Sequence, residues 1–280
     1  MKGRALYDLD GKIALVTGAG GERGIGRAIA TRLAREGAHV AVNDLSAPSA
    51  SASWHGVRDV VAEIEAMGGE ALALHGDVAD AGQVDRMVAA TIDRFGQIDI
   101  LVNNAASRPG RDRVPVVELE EEAFDLVQRV NVKGTFLCSR AVAREMVHRD
   151  QGGKIVMISS TRGKRGAACY AAYSASKHAV IGFGQALALE LAPHRIQVNT
   201  ICPGMIDTER VAAIAAATVP EGESVDNYYA QMLRRQEAEV PLGYVAEARE
   251  IARVAAFLAS SESDYLTGVS ISVAGGVQLG

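Results

Sequence analysis

The run Tyr173-Ser174-Ala175-Ser176-Lys177 sets a phenol and an ammonium four residues apart. The apolar positions Ala179, Val180, Ile181, Phe183, Leu187, Leu189 and Leu191 follow, with no proline before Pro193, so the spacing predicts a helix. Residues four apart on a helix share a face. A cation beside a phenol favours the phenolate and draws its pKa down from about 10. A group poised near the ambient pH is an efficient proton acceptor. Ser160 lies upstream at the end of the apolar run Ile155-Val156-Met157-Ile158. That run reads as a strand, which presents Ser160 at its carboxyl edge. Tyr-x-x-x-Lys alone is common on helix surfaces, so its weight depends on what surrounds it.

A second constellation lies near the start. Lys12 to Val16 is β-rich and ends in Thr17-Gly18-Ala19-Gly20-Gly21-Glu22-Arg23-Gly24-Ile25-Gly26. Ile29, Ala30 and Leu33 then carry helical spacing as far as Gly37, and His39 to Val42 is a second strand ending at Asn43-Asp44. This is a βαβ unit with a glycine-rich first turn. Glycine lets the backbone approach a phosphate, and a helix amino end attracts its charge. An acid at the end of the second strand accepts hydrogen bonds from an adenosine ribose, and Asp44 holds that place. Strand, turn, helix and acid together predict dinucleotide binding.

The elements that must position these groups alternate along the chain. After a Ser/Ala/Pro-rich loop at Leu45 to Gly56, Val57 to Met67 reads as a helix and Ala71 to His75 as a strand ending at Gly76-Asp77-Val78. Asp77 is placed to bond an adenine amino group or to cap a helix at Gln83 to Phe95. Ile98 to Val102 is a strand delivering Asn103-Asn104-Ala105-Ala106, with Asn104 read as a brace for neighbouring loops or a group facing the crevice. Ser107 to Pro115 carries Arg108, Arg111 and Arg113 and reads as a solvated loop, ahead of the alternative of a contact to an anionic substrate. Glu120 through Val147 reads as one long helix interrupted at Asn131, a candidate kink or water site. Lys154 to Ser159 and Gln197 to Ile201 are further strands. Arg162, Lys164 and Arg165 read as an exposed basic loop. Met205 to Pro241 shows no strand and patchy helix, with Tyr228, Tyr229, Arg234 and Arg235. A helix at Glu247 to Leu258 and a strand at Ser270 to Val273 close the series. Alternating strands and helices predict a parallel sheet covered on both faces.

Size and composition agree. At 280 residues the chain suits one α/β domain, and 48% hydrophobic residues suffice for a full core. A net charge of −5 gives no reason to expect nucleic acid. Cys138, Cys169 and Cys202 lack metal spacing and suit reduced thiols, with Cys169 read as a small apolar filler. The amino-terminal segment has no apolar signal core and no stretch is long enough to cross a bilayer, so the reading is a cytoplasmic protein without membrane contact.

These residues together resemble the compact one-domain branch of the short-chain dehydrogenases/reductases. The match runs through Thr17-Gly18…Gly24-Ile25-Gly26, Asp77-Val78, Asn103-Asn104-Ala105, Asn131, Ser160, Tyr173-x-x-x-Lys177 and Pro203-Gly204-x-x-x-Thr208. The resemblance implies a doubly wound (Rossmann) parallel sheet of seven strands. It implies Tyr173 as acid/base, Lys177 as the group that depresses its pKa and bonds the nicotinamide ribose, Ser160 on the substrate oxygen, and Asn131 in a proton relay. It places adenine near Asp77 and Val78, and the nicotinamide amide near Ile206 and Thr208 beyond Pro203 and Gly204. It makes 205–241 the segment covering the substrate, and implies a homotetramer or homodimer packed through the long helices. Gly18, Arg23, Gly24, Ile25, Gly26, Asp44, Asn104 and Ala105 complete the expected cofactor set.

The chain departs from the family pattern in three places. Five residues separate Gly18 from Gly24 where the family has three, Ala106 replaces a glycine, and 205–241 is long. Asp44 repels the extra phosphate of NADP and bonds a free hydroxyl, which favours NAD, although Arg23 stands where some NADP-using relatives carry a basic residue. The expectation is an NAD-dependent oxidoreductase interconverting a secondary alcohol and its ketone without a metal. The alternative is an NAD-binding redox sensor without turnover. Enoyl reduction is disfavoured by the short Tyr–Lys spacing, and sugar epimerisation by the lack of a carboxyl-terminal substrate domain.

Overall fold

The computed structural model describes residues 6–45 and 53–279. Seven parallel strands form one sheet: β1 (Ile13–Val16), β2 (His39–Asp44), β3 (Ala71–His75), β4 (Ile100–Asn103), β5 (Gly153–Ile158), β6 (Ile196–Pro203) and, last in the chain, β9 (Ser270–Val273). Their order is β3-β2-β1-β4-β5-β6-β9. The order reverses between β1 and β4, so a crevice opens at the carboxyl ends of those two strands. The strands are continuous apolar runs because both faces are covered. Leu15, Leu101 and Ile155 are among the largest fully buried side chains.

One face carries α1 (Ile25–Arg35), α2 (Val57–Ala66) and α9 (Ala248–Ala259), which bury Ile29, Leu33, Val60, Ile64, Ile251 and Leu258 in one cluster. The other carries α3 (Ala81–Phe95), α5 (Gly134–Arg149) and α6 (Ala171–Leu191), which bury Val84, Met87, Val142, Met146, Val180 and Leu191 in a second. Each such aliphatic side chain contributes about 1.5–3 kcal/mol by leaving water. The two clusters clamp the sheet and fix the height at which each strand releases its loop.

The structure refines the expectation in three places. The long helix predicted from Glu120 to Val147 divides into α4 (Glu121–Gln128), a π-helical stretch Arg129–Lys133 and α5. Buried Asn131 sits in the π stretch and Thr135 Oγ1 donates to its carbonyl at 2.8 Å, so the interruption expected at Asn131 is a local change of helical hydrogen bonding. The 205–241 segment, read as strandless, begins with β7 (Ile206–Asp207), which pairs with β8 (Ala246–Glu247). Two residues are too few to show a period of two. The segment then forms α7 (Glu209–Thr218) and α8 (Val225–Glu239). Cys169 is exposed with φ 61° and is not a filler, whereas Cys138 and Cys202 are buried. Burial pushes the Cys138 thiol up to about 12. Part of the loop read at Leu45 to Gly56 lies outside the described residues. Among the described residues no helix is long and apolar enough to cross a membrane.

Candidate functional site: two arms at one sheet edge

The turn after β1 is built by close backbone approach. Gly18 has φ 63°, and a Cβ there would stand 2.6 Å from the Ala105 Cα. A Cβ on Gly26 would lie 2.4 Å from the Gly18 carbonyl oxygen and 2.5 Å from Asn104 Nδ2. Hydrogen is therefore the one substituent that fits at either place. Asn104 donates from Nδ2 to the carbonyls of Thr17 (3.0 Å) and Gly18 (2.7 Å), so bracing is its role here. Thr17 Oγ1 accepts the N–H of Asn104 and of Ala105 at 3.1 and 3.2 Å. The first N–H groups of α1, at Ile25 and Gly26, have no partner within the helix and meet the positive end of its dipole. A close-packed glycine cradle ahead of free N–H groups fits a dinucleotide pyrophosphate.

The lengthened part of the turn is tied elsewhere. The N–H of Gly20 donates to Asp44 Oδ2 at 2.8 Å, and Trp54 Nε1 donates to the Gly20 carbonyl at 2.6 Å. The N–H of Ala19 donates to the Asn43 carbonyl and that of Gly24 to the Gly21 carbonyl. Asp44 Oδ1 also accepts from its neighbour Leu45 at 2.7 Å, so this carboxylate sits at the end of β2 with both oxygens turned to backbone N–H groups. Arg23 turns away from that acid. Its N–H donates to Glu209 and its Nη1 lies 3.6 Å from Asp207 Oδ1. Tyr229 donates its hydroxyl to the same Asp207. The residue weighed for NADP thus links the turn to β7 and α7.

Asp77 and Val78 close the neighbouring corner. Asp77 Oδ1 accepts from the N–H of Ala79 at 2.8 Å, whereas the side chain that caps α3 is Asp80, which accepts from Gln83 at 2.9 Å. The capping alternative for Asp77 is corrected accordingly: three residues from the capping carboxylate to the donating N–H selects Asp80. Val78 is buried against Gly134. At the end of β6, Gly204 donates its N–H to Val273, while Ile206 and Thr208 are buried just beyond.

The chemical arm lies across the crevice. Ser160, at the end of β5, and Tyr173 and Lys177, on the first two turns of α6, are all buried. Lys177 Nζ donates to the Ile158 carbonyl at 2.8 Å and stands 5.7 Å from the Tyr173 ring centroid. Asn131 accepts the N–H of Ser107 at 2.8 Å and donates to Ser176 Oγ at 2.9 Å. Ser176 in turn donates to the Tyr173 carbonyl at 2.7 Å, so Asn131 reaches the tyrosine through the backbone of its helix.

Burial opposes ionisation of Tyr173, but Arg210, Lys177, the Ser160 hydroxyl and Arg113 outweigh it. The phenol is held below its ordinary value of 10.0. Burial, with Arg210, draws the Lys177 ammonium below its ordinary 10.5, against the pull of Tyr173.

Arg210 is the residue sequence reasoning missed, and Arg113 the one it read as solvated ahead of a contact to an anionic substrate. Arg113 belongs to the loop read as solvated, yet its side chain is 2% exposed. Its guanidinium lies 4.3 Å from the Tyr170 ring centroid and 4.7 Å from that of Tyr173. It is ion-paired with buried Asp112. Arg210, on the first turn of α7, stands 4.9 Å from the Tyr173 ring and donates to the Ser107 carbonyl at 2.8 Å. The other loop arginines behave as read: Arg108 is exposed and Arg111 pairs with Glu120 on the surface. The basic loop after Ser160 divides. Arg165 is exposed, Lys164 Nζ donates to the Ser270 carbonyl at 2.6 Å, and Arg162 lies 5.6 Å from the Tyr170 ring.

The family model described as enoyl-(acyl carrier protein) reductase matches residues 18–278. A sorbitol dehydrogenase of Cereibacter sphaeroides is 41% identical over 96% of this chain and 98% of that protein. A galactitol 2-dehydrogenase of Agrobacterium fabrum strain C58 is 37% identical, also over 96% and 98%. Among solved structures, levodione reductase superposes with a TM-score of 0.85 at 32% identity, covering 95% of this chain and 97% of the other. A short-chain type dehydrogenase/reductase from Mycobacterium marinum does so with a TM-score of 0.82 at 33% identity, covering 98% of each. With a glycine cradle at the switch point of a seven-stranded parallel sheet and relatives matched from end to end, the chain belongs to the short-chain dehydrogenases/reductases.

Proposed function

We propose that this oxidoreductase interconverts a secondary alcohol and its ketone, with NAD preferred over NADP and Tyr173 as the acid/base. The observation that carries the reading is the buried Tyr173 phenol, held below its ordinary pKa by cations and a serine hydroxyl. Polyol dehydrogenases among the relatives support the alcohol–ketone class.

The turn around Gly18, Gly24, Ile25 and Gly26 would hold the pyrophosphate and Asp44 the adenosine ribose, with Asp77, Val78 and Ala105 beside them. Lys177, Pro203, Gly204, Ile206 and Thr208 would receive the nicotinamide end. The cofactor, when bound, supplies the hydride acceptor. The chain does the rest. Ser160 and Tyr173 hold the substrate oxygen between them, which fixes the reacting carbon. The O–H bond breaks toward the Tyr173 phenolate as the carbinol C–H bond is lost and the carbonyl forms; reduction reverses each step. Arg210 and Lys177 hold the phenol's pKa below its ordinary value, which eases loss and return of its proton. Asn131 holds α6 through Ser176 and so fixes the Tyr173 backbone.

The NAD preference rests on charge: a 2′-phosphate beside the Asp44 carboxylate is repelled. Arg23, drawn toward Asp207, offers that phosphate no counter-charge. Three free cysteines suit a reducing compartment and hence the cytoplasm. Exposed Phe124 and Leu126 on α4, Phe136 on α5 and Leu189 on α6 suit a homodimer or homotetramer joined through the long helices. The test is nicotinamide absorbance with secondary alcohols and ketones, NAD and NADP in parallel. NAD-dependent turnover supports the reading; cofactor binding without turnover on any substrate returns the sensor alternative.

A further inference from the structure

We infer that the substrate carries a carboxylate close to its reacting carbon, received by Arg113 and Arg210, so that the alcohol is a hydroxy acid and the ketone an oxo acid. The inference rests on the alcohol–ketone reading above and adds its specificity.

Unspent hydrogen-bonding capacity points this way. Arg113 Nε and Nη2 and Arg210 Nη2 are buried and without a hydrogen-bond partner. Buried donors are nearly always satisfied, and leaving a charged one unpaired is expensive. These three donors belong to guanidinium groups lying 4.7 and 4.9 Å from the Tyr173 ring centroid; the other buried side-chain atoms without a partner among the described residues are His39 Nδ1, Asn103 Oδ1, Arg149 Nε and Ser174 Oγ. A planar carboxylate matches the guanidinium fork and takes two parallel N–H bonds.

The charge balance agrees. Lys177, Arg113 and Arg210 bring three cations to Tyr173, and Asp112 answers one of them through Arg113. Among the described residues Arg210 has no carboxylate partner, since Glu209 beside it is bonded to Arg23. Arg210 also stands on the first turn of α7, where a cation opposes the helix dipole. An anion bound there relieves both terms.

The experiment compares matched pairs: 3-hydroxybutyrate with butan-2-ol and gluconate with sorbitol, with glucose 6-phosphate as the phosphate arm. Binding to the protein loaded with NAD is measured by calorimetry, and turnover by nicotinamide absorbance. A third readout needs no turnover: the phenolate absorbance of Tyr173, taken as the difference from Tyr173→Phe and followed against pH. The inference predicts that at least one acid binds tenfold or more tighter than its matched alcohol. That acid raises the pH at which Tyr173 ionises, and Arg210→Gln abolishes both effects while Arg210→Lys restores part of the preference. Arg113→Gln, a buried change, is scored only if its melting temperature is retained.

Acids that bind no better than their alcohols overturn the inference, as does a preference that survives in Arg210→Gln. Tighter, arginine-dependent binding of the phosphate overturns the carboxylate assignment. Neutral alcohols turned over with full dependence on Tyr173 and no acid preference would remove the acid specificity and leave the alcohol–ketone reading intact. Arginine-dependent acid binding with turnover unchanged in Tyr173→Phe would support the inference and defeat the assigned acid/base.

Discussion

The glycine turn after β1 and the cation cluster over Tyr173 stand at the same sheet edge and are built by opposite means. The turn is shaped by what is missing: at Gly18 and Gly26 a single Cβ would meet backbone at 2.6 and 2.4 Å. Its polar groups are satisfied by Asn104, Asp44 and Trp54. The cluster is shaped by what is added, with Arg113, Arg210 and Lys177 crowding one buried phenol and three guanidinium donors left unpaired. The turn is sterically exact and leaves the first N–H groups of α1 for a ligand. A site that chooses a substrate keeps capacity in reserve.

Breaking the cluster at its base has the largest expected effect. Lys177→Ala removes a cation and the bond to the Ile158 carbonyl, and turnover should fall by roughly 10²–10⁴, the range of general acid/base assistance. Stopped assays at matched protein concentration check this, and a loss below fivefold would mean that Tyr173 is tuned by the arginines alone.

Breaking the turn should act on stability first. Gly26→Ala forces a methyl into backbone and should cost about 1–3 kcal/mol, the range for overpacking. Thermal unfolding should register several degrees of loss, and NAD affinity should fall in parallel.

Arg210→Gln sharpens the contrast through pH. Removing a cation favours the neutral phenol, so the Tyr173 pKa rises. Alcohol oxidation needs the phenolate, so the ascending limb of its pH profile should move to higher pH. An unmoved limb would detach Arg210 from the acid/base. The smallest effect belongs to the turn: Asp44→Ser should narrow the preference for NAD over NADP by about tenfold, as loss of one close charge repulsion allows.

The two arms also differed in how far the sequence disclosed them. The turn was legible because its glycines, its strand and helix and Asp44 lie within one βαβ unit. Tyr173, Lys177 and Ser160 were legible because helical spacing and a strand end place them locally. Arg113 was not, because a polar loop reads as solvated and its burial comes from Tyr170 and Tyr173, some sixty residues on. The adjacent Asp112-Arg113 pair between Pro109-Gly110 and Val114-Pro115 was the available cue: a stiff loop with its own counter-charge. Arg210 could be noticed only once α7 had a beginning, since a cation against the helix dipole is odd only when the terminus is known. The β7–β8 pair joins residues about forty apart and has no sequence period at all.

The most direct test of the central claim is turnover of wild type and Tyr173→Phe on the same secondary alcohols with NAD. Removing one buried hydroxyl leaves the ring, its packing and the cofactor turn in place. The account predicts loss of turnover by about 10²–10⁴ with NAD binding retained. Turnover unchanged in Tyr173→Phe would contradict it, and the proton would then have to leave by another group.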